Sequence, residues 1–197
     1  MELIFATNNP NKVKEIRNVI GDKLQILPLK EAGIIIEIPE PHDTLEDNAL
    51  EKAQTIHHLT GKNCFSEDTG LEVAALNGAP GVKSARYAGE QATSQQNIAL
   101  LLQNMQGIEN RQAQFRTVIS LIWDHKTYYF EGVCPGKITA TQKGEEGFGY
   151  DPVFIPDGGD GRSFAEMTLE EKNKFSHRKK ATALLIDFLQ TKIGELV

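Results

Sequence analysis

The chain has 197 residues, of which 40% are hydrophobic and 24% are charged, which is typical of one globular domain with its own core. Its formal net charge of −6 excludes the broad basic surface that nonspecific nucleic-acid binding requires, but not a small anion in a locally basic pocket. We find no apolar run long enough for a membrane span, no signal-peptide pattern and only two cysteines without metal-ligand spacing, so a reducing cytoplasm is expected.

The N-terminal half alternates short apolar runs with amphipathic segments. In chain order it predicts a strand over 3–7, a helix over 11–21, a strand over 24–29, a proline-rich extended loop over 34–43, a helix over 44–61, and a strand, sharp turn and strand over 63–73. Thr44 and Asp47 suit a capping box at the start of the second helix, and Gly61 suits its end.

The C-terminal half carries most of the predicted strands. It predicts a glycine-rich loop over 78–89, a helix over 93–107, a β-meander with strands over 113–123, 127–133 and 136–141, a strand over 152–156, and helices over 168–175 and 177–194. Because helices and strands interleave along the whole chain, we expect an α/β fold with a mixed central sheet and a single domain over 1–197.

The segment ATNNPNK, residues 6–12, joins the first strand to the first helix. Free N–H groups at a helix start, the helix dipole and the charge of Lys12 together suit a phosphate group. The pattern is not that of a Walker loop. By itself the segment favours an asparagine-rich capping turn, and a phosphate-binding loop is the alternative.

The segment SEDTG, residues 66–70, places Glu67 and Asp68 side by side after an apolar strand. An aspartate at a strand end is a common ligand of a hard cation such as Mg²⁺, which prefers oxygen ligands. A solvated acidic turn is the alternative.

Positive charge also collects at the start of the last helix, in SHRKK, residues 176–180. Since the helix dipole disfavours cations there, a bound anion would explain them, and a basic surface turn is the alternative. The histidines His42, His57, His58 and His125 do not assemble a metal site, because His57 and His58 diverge on one helix and the other two lie in loops.

Six segments in order together resemble the inosine triphosphate pyrophosphatase family, the XTP/dITP diphosphatases, over essentially the whole chain. These segments are TNNPNK at 7–12, LEDNALEKA at 45–53, EDTGLEV at 67–73, GAPGVKSARYAG at 78–89, GFGYDPVF at 147–154 and SHR at 176–178. The family pattern has two aspartates before its Ser/Thr-Gly pair, and Glu67 replaces the first of them here, which keeps the charge on a longer side chain.

The resemblance implies hydrolysis of ITP, dITP and XTP to the monophosphate and pyrophosphate, Mg²⁺ dependence, a homodimer and an elongated mixed sheet flanked by helices, with two lobes and a central cleft. It implies Asp68 as proton acceptor and metal ligand, with Glu40 as the candidate second ligand. The implied substrate-binding residues are Thr7, Asn8, Asn9, Pro10, Asn11, Lys12, Thr69, Phe148, Gly149, Tyr150, Asp151, Lys172, His177 and Arg178.

Within this set, Phe148 can stack on a purine, and its flanking glycines let the backbone approach the base. Asp151 can anchor the loop or contact the base edge, and Tyr150 is either a pocket residue or an aromatic plug in the core. Two other functions stay open, namely a pyrophosphatase for modified pyrimidine nucleotides and a nucleotide-binding sensor without turnover. Neither a nucleic-acid nor a membrane partner is expected.

Overall fold

A computed structural model describes residues 2–194, and within them the strands and helices alternate largely as predicted. The strands are β1 (Glu2–Phe5), β2 (Gln25–Pro28), β3 (Cys64–Val73), β4 (Pro80–Gly81), β5 (Gln112–Trp123), β6 (Lys126–Ile138) and β7 (Phe154–Pro156). The α-helices are α1 (Pro10–Ile20), α2 (Leu45–Thr60), α3 (Ser94–Asn104), α4 (Leu169–Lys172) and α5 (His177–Gly194). No helix in this part of the chain is both long and apolar enough to span a membrane.

The described strands form one mixed sheet in the order β2-β1-β3-β5-β6-β7, with β4 added to β3. The pairs of β1 with β2 and with β3 are parallel, whereas β3–β4 and β6–β7 are antiparallel. The predicted α/β class with a mixed sheet flanked by helices is confirmed.

Two compact units divide the chain, and the first comprises 1–68, 117–132 and 178–197. Its layers follow from the alternation of side chains along β1. Leu3 and Phe5 pack into a core cluster with apolar residues of α1 and α5, and Ile4 packs into another with apolar residues of α2. The strands of this unit are therefore covered by helices on both faces.

The second unit comprises 69–116 and 133–177 and has its own apolar core. Ile98 and Leu101 of helix α3, and Met105 at its C-terminal end, belong to this core. The aromatic rings of Phe115 and Phe154 meet edge to face, with 4.6 Å between their centroids. This core supports the segment 147–151, which carries the predicted nucleoside residues.

Two predicted strand boundaries are wrong. The segment 63–73 contains no sharp turn, because β3 runs unbroken through Asp68, Thr69 and Gly70. Gly70 is required for a different reason, since a Cβ there would lie 2.6 Å from the backbone oxygen of Gly81 on β4. The glycine therefore permits a close approach of two strands.

The predicted third strand of the meander, 136–141, does not exist separately. Strand β6 continues through Pro135 as far as Ile138, so β5 and β6 form a hairpin. A proline lacks only its own N–H, and its φ is compatible with extended backbone, so it does not have to end a strand.

Candidate active site

The loop between β1 and α1 is shaped by Asn9, the N-cap of the helix. Its side-chain oxygen accepts hydrogen bonds from the backbone N–H groups of Asn11 at 3.0 Å and Lys12 at 3.3 Å. Pro10 occupies the first turn, where a missing N–H costs nothing. Asn8 donates its side-chain amide to the carbonyl of Ile36. The capping turn considered in the sequence is thus present, and its contacts keep the side chain of Lys12 at the helix start.

Asp68 lies in a buried group of charges at the middle of β3. Lys52, from the buried face of α2, places its Nζ 3.6 Å from Asp68 Oδ1, donates to the backbone carbonyl of Glu67 at 2.9 Å, and makes a short ion pair with Glu40. The ammonium group of Lys52 therefore holds two of the predicted acidic residues, Glu40 and Asp68, around one point.

Burial is the largest influence on Asp68, and it raises the pKa of this carboxyl above its ordinary value. The positive charges of Lys52 and Lys12 oppose the rise, while the carboxylates of Glu40 and Glu67 add to it. A carboxylate with a raised pKa is a better proton acceptor than one in water, which is the property that a general base needs.

Glu67, in contrast, is held as an anion. Although burial alone would raise its pKa, Arg178 and Lys12 hold the pKa of this carboxyl well below its usual range. Arg178 donates to both oxygens of Glu67, at 2.9 and 3.1 Å, and to Glu15 on α1. Lys12 lies 2.9 Å from Glu67. Two neighbouring carboxylates on one strand thus differ in their protonation chemistry, which in an enzyme separates an acid–base residue from a structural one.

The contacts of Arg178 predict a large stability effect. Its side chain is 2% exposed, so Arg178→Ala leaves Glu15 and Glu67 buried beside the lost guanidinium. Removing one partner of a buried pair costs about 3–5 kcal/mol. We expect a loss of this size in the free energy of unfolding, measured by urea denaturation at neutral pH.

The matched control is Arg17→Ala, because Arg17 pairs with Glu31 at the surface, where both side chains are more than 40% exposed. Such pairs contribute about 0–1 kcal/mol. Equal losses in the two variants would show that other cations, Lys12 above all, neutralise the two buried carboxylates.

The donor atoms around Asp68 determine whether a divalent cation fits this site. Among residues 2–194, no three histidine, cysteine or acidic residues form a metal-binding cluster by themselves. Glu40 and Asp68 nevertheless converge on the single cationic atom Lys52 Nζ. Two carboxylates are a suitable partial ligand set for Mg²⁺, which takes its remaining oxygens from water and phosphate. The residues therefore fit this ion as part of a complex with a phosphate ligand.

In the second unit, Asp151 organises the segment 147–151. Its Oδ2 accepts hydrogen bonds from Lys172 Nζ at 2.7 Å and from the backbone N–H of Phe148 at 3.0 Å. Gly147 has a φ of 75°, and a Cβ at this position would overlap the Asp151 carboxylate. The Lys172 ammonium lies 5.4 Å from the centroid of the half-buried Phe148 ring. Among the two roles considered for Asp151, these contacts favour that of loop anchor.

Three further residues of the predicted set lie in the second unit. The Tyr150 hydroxyl donates to the carbonyl of Ser84 at 2.7 Å, and its ring belongs to the core, as the aromatic-plug alternative describes. His177 is stacked on Phe115, with centroids 4.6 Å apart. Thr69, the residue after Asp68, is half-buried. The structure thus brings Phe148 and Lys172 to the carboxylate of Asp151, whereas the Tyr150 hydroxyl contacts Ser84 on a different segment.

Sequence reasoning missed Lys52 and Glu15. Lys52 had a detectable signal, because it falls on the same face of α2 as the buried residues Leu45, Ala49 and Ile56. A lysine within an apolar stripe needs a buried anionic partner. Glu15 gave no comparable signal, since its partner Arg178 lies 163 positions away in the chain.

The model of the Ham1 family matches residues 3–188. A protein of Porphyromonas gingivalis named dITP/XTP pyrophosphatase is 52% identical, over 95% of this chain and 97% of its own length. A protein of the same name from Flavobacterium johnsoniae is 48% identical, over 96% of this chain and 98% of its own length.

Solved structures of two Ham1 proteins have similar folds. The Staphylococcus aureus Ham1 protein superposes with a TM-score of 0.87 at 35% identity, covering 98% of this chain and 100% of its own. The Coxiella burnetii HAM1 protein does so with a TM-score of 0.88 at 34% identity, covering 97% of this chain and 99% of its own.

Proposed function

The chain belongs to the Ham1 family and is a nucleoside triphosphate pyrophosphatase, a hydrolase of phosphoanhydrides, and we propose that its substrates are the non-standard purine nucleotides ITP, dITP and XTP. The proposed products are the nucleoside monophosphate and pyrophosphate. Two relatives named dITP/XTP pyrophosphatase, 52% and 48% identical over nearly the whole chain, support this substrate class. Removal of such nucleotides from the precursor pool would be its role, in the cytoplasm.

The observation that carries the proposal is the charge group around Asp68. A buried carboxylate with a raised pKa lies beside Lys52, and Lys12 lies at the adjacent helix start. This combination supplies a proton acceptor and cations for phosphate oxygens within one unit. We assign the catalytic role to Asp68 and the phosphate-binding role to residues 7–12.

In the proposed mechanism, Asp68 orients a water molecule and accepts its proton as the water attacks the α-phosphorus. Lys12 and the positive end of the α1 dipole hold the pyrophosphate as it leaves. Mg²⁺, held by Asp68 and Glu40, would neutralise negative charge on the phosphate oxygens. Most of the rate acceleration then comes from positioning and fixed charges, as in other phosphoryl transfers.

The second unit supplies the proposed nucleoside-binding residues Phe148, Gly149, Asp151, Lys172 and His177. The half-buried ring of Phe148 offers a stacking surface for a purine, and the Asp151–Lys172 pair fixes the backbone on either side of it. Thr69 is proposed to contact the substrate next to Asp68, and Tyr150 to support the loop through Ser84.

A substrate screen with the phosphate products resolved tests the proposed function. Purified protein is incubated with ITP, dITP, XTP, the four standard nucleotides and modified pyrimidine nucleotides, and pyrophosphate is separated from orthophosphate. Pyrophosphate release from ITP, dITP and XTP in preference to the others is expected. Preference for a pyrimidine would identify the other pyrophosphatase, and tight binding without product would identify a sensor.

The metal requirement is tested by chelation. The carboxylates of Glu40 and Asp68 both lie near Lys52 Nζ, and carboxylate oxygens are ligands that Mg²⁺ prefers. We therefore expect activity to disappear in excess EDTA and to return with Mg²⁺. Mn²⁺ is expected to substitute in part, since it accepts the same oxygen ligands. Full turnover in excess chelator contradicts the assignment of Asp68 and Glu40 as metal ligands.

Assembly as a homodimer is proposed from the family resemblance. Sedimentation velocity at micromolar protein concentration is expected to give a single dimer boundary for a chain of 21.8 kDa. A monomer boundary under these conditions excludes the dimer.

A further inference from the structure

Two histidine rings from distant parts of the first unit meet near the end of α2. His57 lies in the last turn of α2, and His125 lies in the turn between β5 and β6, 68 positions further along the chain. His57 Nε2 and His125 Nδ1 are 3.0 Å apart, with the rings in an edge arrangement. The sequence predicted no metal site among the histidines and placed His125 in a loop, and the proposed hydrolysis uses neither residue.

The other ring nitrogen of His57 decides which nitrogen offers a lone pair. Nδ1 lies 2.8 Å from the backbone carbonyl oxygen of Lys62, and a carbonyl oxygen can only accept a hydrogen bond. Nδ1 therefore carries the hydrogen in the neutral ring, and Nε2, which lies 3.0 Å from His125 Nδ1, keeps its lone pair. Histidines that bind metals in proteins are held in this way, with the far N–H bonded to a carbonyl or carboxylate.

The separation of the two nitrogens suits a first-row transition metal. Metal–nitrogen bonds of about 2.0–2.1 Å, joined to two nitrogens 3.0 Å apart, enclose an angle of about 91–97° at the metal. Adjacent ligands in octahedral and square-planar complexes subtend about 90°, so Ni²⁺ and Cu²⁺ fit this spacing better than tetrahedral Zn²⁺.

The turn that carries His125 is fixed in place. Asp124 donates its backbone N–H to Asn63 Oδ1 at 3.0 Å, which ties the turn to the segment following α2. Asp124 and His125 both have positive φ values, 48° and 61°, as a two-residue hairpin turn requires. The two rings are therefore brought together by the backbone on both sides.

We propose that His57 and His125 form a two-histidine site for a first-row transition-metal dication, with water in the remaining coordination positions. The site is distinct in its ligand chemistry from the carboxylates Glu40 and Asp68, which suit Mg²⁺. Because only two of its ligands come from the protein, the bound ion exchanges with ions in solution. Because the ion would join α2 to the β5–β6 turn, its binding stabilises the folded state through linkage.

The test uses tag-free full-length protein in excess Mg²⁺, titrated with NiCl₂ by isothermal calorimetry. The wild type is expected to bind one Ni²⁺, and His57→Gln and His125→Gln are each expected to weaken binding by at least about tenfold. His58→Gln is the matched control: it lies next to His57 in α2, with its ring centroid 6.4 Å from that of His57, and is expected to leave binding unchanged.

A second measurement separates loss of the site from loss of the fold. Without nickel, the melting temperatures of all variants are expected to equal that of the wild type, since the two side chains lie at the surface. With nickel, the melting temperature is expected to rise in the wild type and in His58→Gln only. Absence of nickel binding in the wild type, or equal binding in His57→Gln, overturns the proposal and leaves a hydrogen bond between the two rings.

Discussion

Replacing Asp68 by asparagine is expected to lower kcat on ITP by about 10²–10⁴, the range for loss of a general base. The amide of asparagine has nearly the shape of the carboxylate but cannot accept the proton of the attacking water. The substitution also removes one of the two acidic groups around Lys52 Nζ. Steady-state kinetics at saturating Mg²⁺ measure the effect.

The control variant is Asp22→Asn, which changes an exposed aspartate in the turn after α1 of the same unit. It is expected to keep wild-type kcat, and both variants are expected to keep the wild-type circular dichroism spectrum. If Asp68→Asn retains near wild-type turnover, Asp68 takes no part in proton transfer, and another residue must activate the water.

Base selectivity provides the second large expected effect. Hypoxanthine and xanthine carry a carbonyl at C6, which accepts hydrogen bonds, whereas adenine carries an amine that donates them. Lysine and backbone N–H groups only donate. A site built to hydrogen-bond one substrate group rejects the analogue lacking it by roughly 10⁴-fold. We expect kcat/KM to fall in the order ITP and XTP, then GTP, then ATP.

Lys172→Met tests which donor reads the base. The change keeps the length of the side chain but removes the ammonium that contacts Asp151 and lies near the Phe148 ring. We expect a larger loss of kcat/KM for ITP than for ATP, so that their ratio decreases. The control is Lys174→Met, two positions away and exposed, which is expected to leave the ratio unchanged. An equal loss on both substrates in Lys172→Met would assign Lys172 to loop support.

The same ratio separates two roles for Arg178. The sequence suggested a nucleoside contact, for which Arg178→Ala would damage ITP hydrolysis more than ATP hydrolysis. Its observed contacts with Glu67 and Glu15 instead predict an equal loss on both substrates, together with the loss of stability described above. A decrease of the ITP-to-ATP ratio in this variant would restore the nucleoside role.

Local patterns predicted the helices well, because their signals lie within a few residues. The side chain of Thr44 accepts from the backbone N–H of Asp47 as the capping pattern predicted, and Gly61 ends α2 in the left-handed conformation. Strands were harder to delimit. Gly70 and Pro135 are frequent in turns, but here a close contact with β4 and an extended φ keep them inside strands.

The residues of the candidate site show the same contrast between local signals and long-range contacts. Asp68 was identified from a motif, since its neighbours in the sequence carry the signal. The opposite pKa shifts of Asp68 and Glu67 could not be predicted, because they depend on burial and on charges that only the fold brings near. Arg178 lies 111 positions from Glu67, and Lys52 lies 15 positions from it, on another element. Pairings of this kind leave no trace in the local pattern of a single sequence.

The buried contacts of Arg178 have a consequence for biosynthesis. The first unit draws on three stretches of chain, and the last of them begins at this arginine. Until α5 has been synthesised, the guanidinium that contacts Glu15 and Glu67 is missing, and α1 lacks the helix that shares its core. Interactions that span most of the chain form slowly, because a large loop must close first. The core and the charge pairs of the first unit are therefore completed only once the chain has been made as far as α5, so residues 1–132 alone lack contacts that this unit needs.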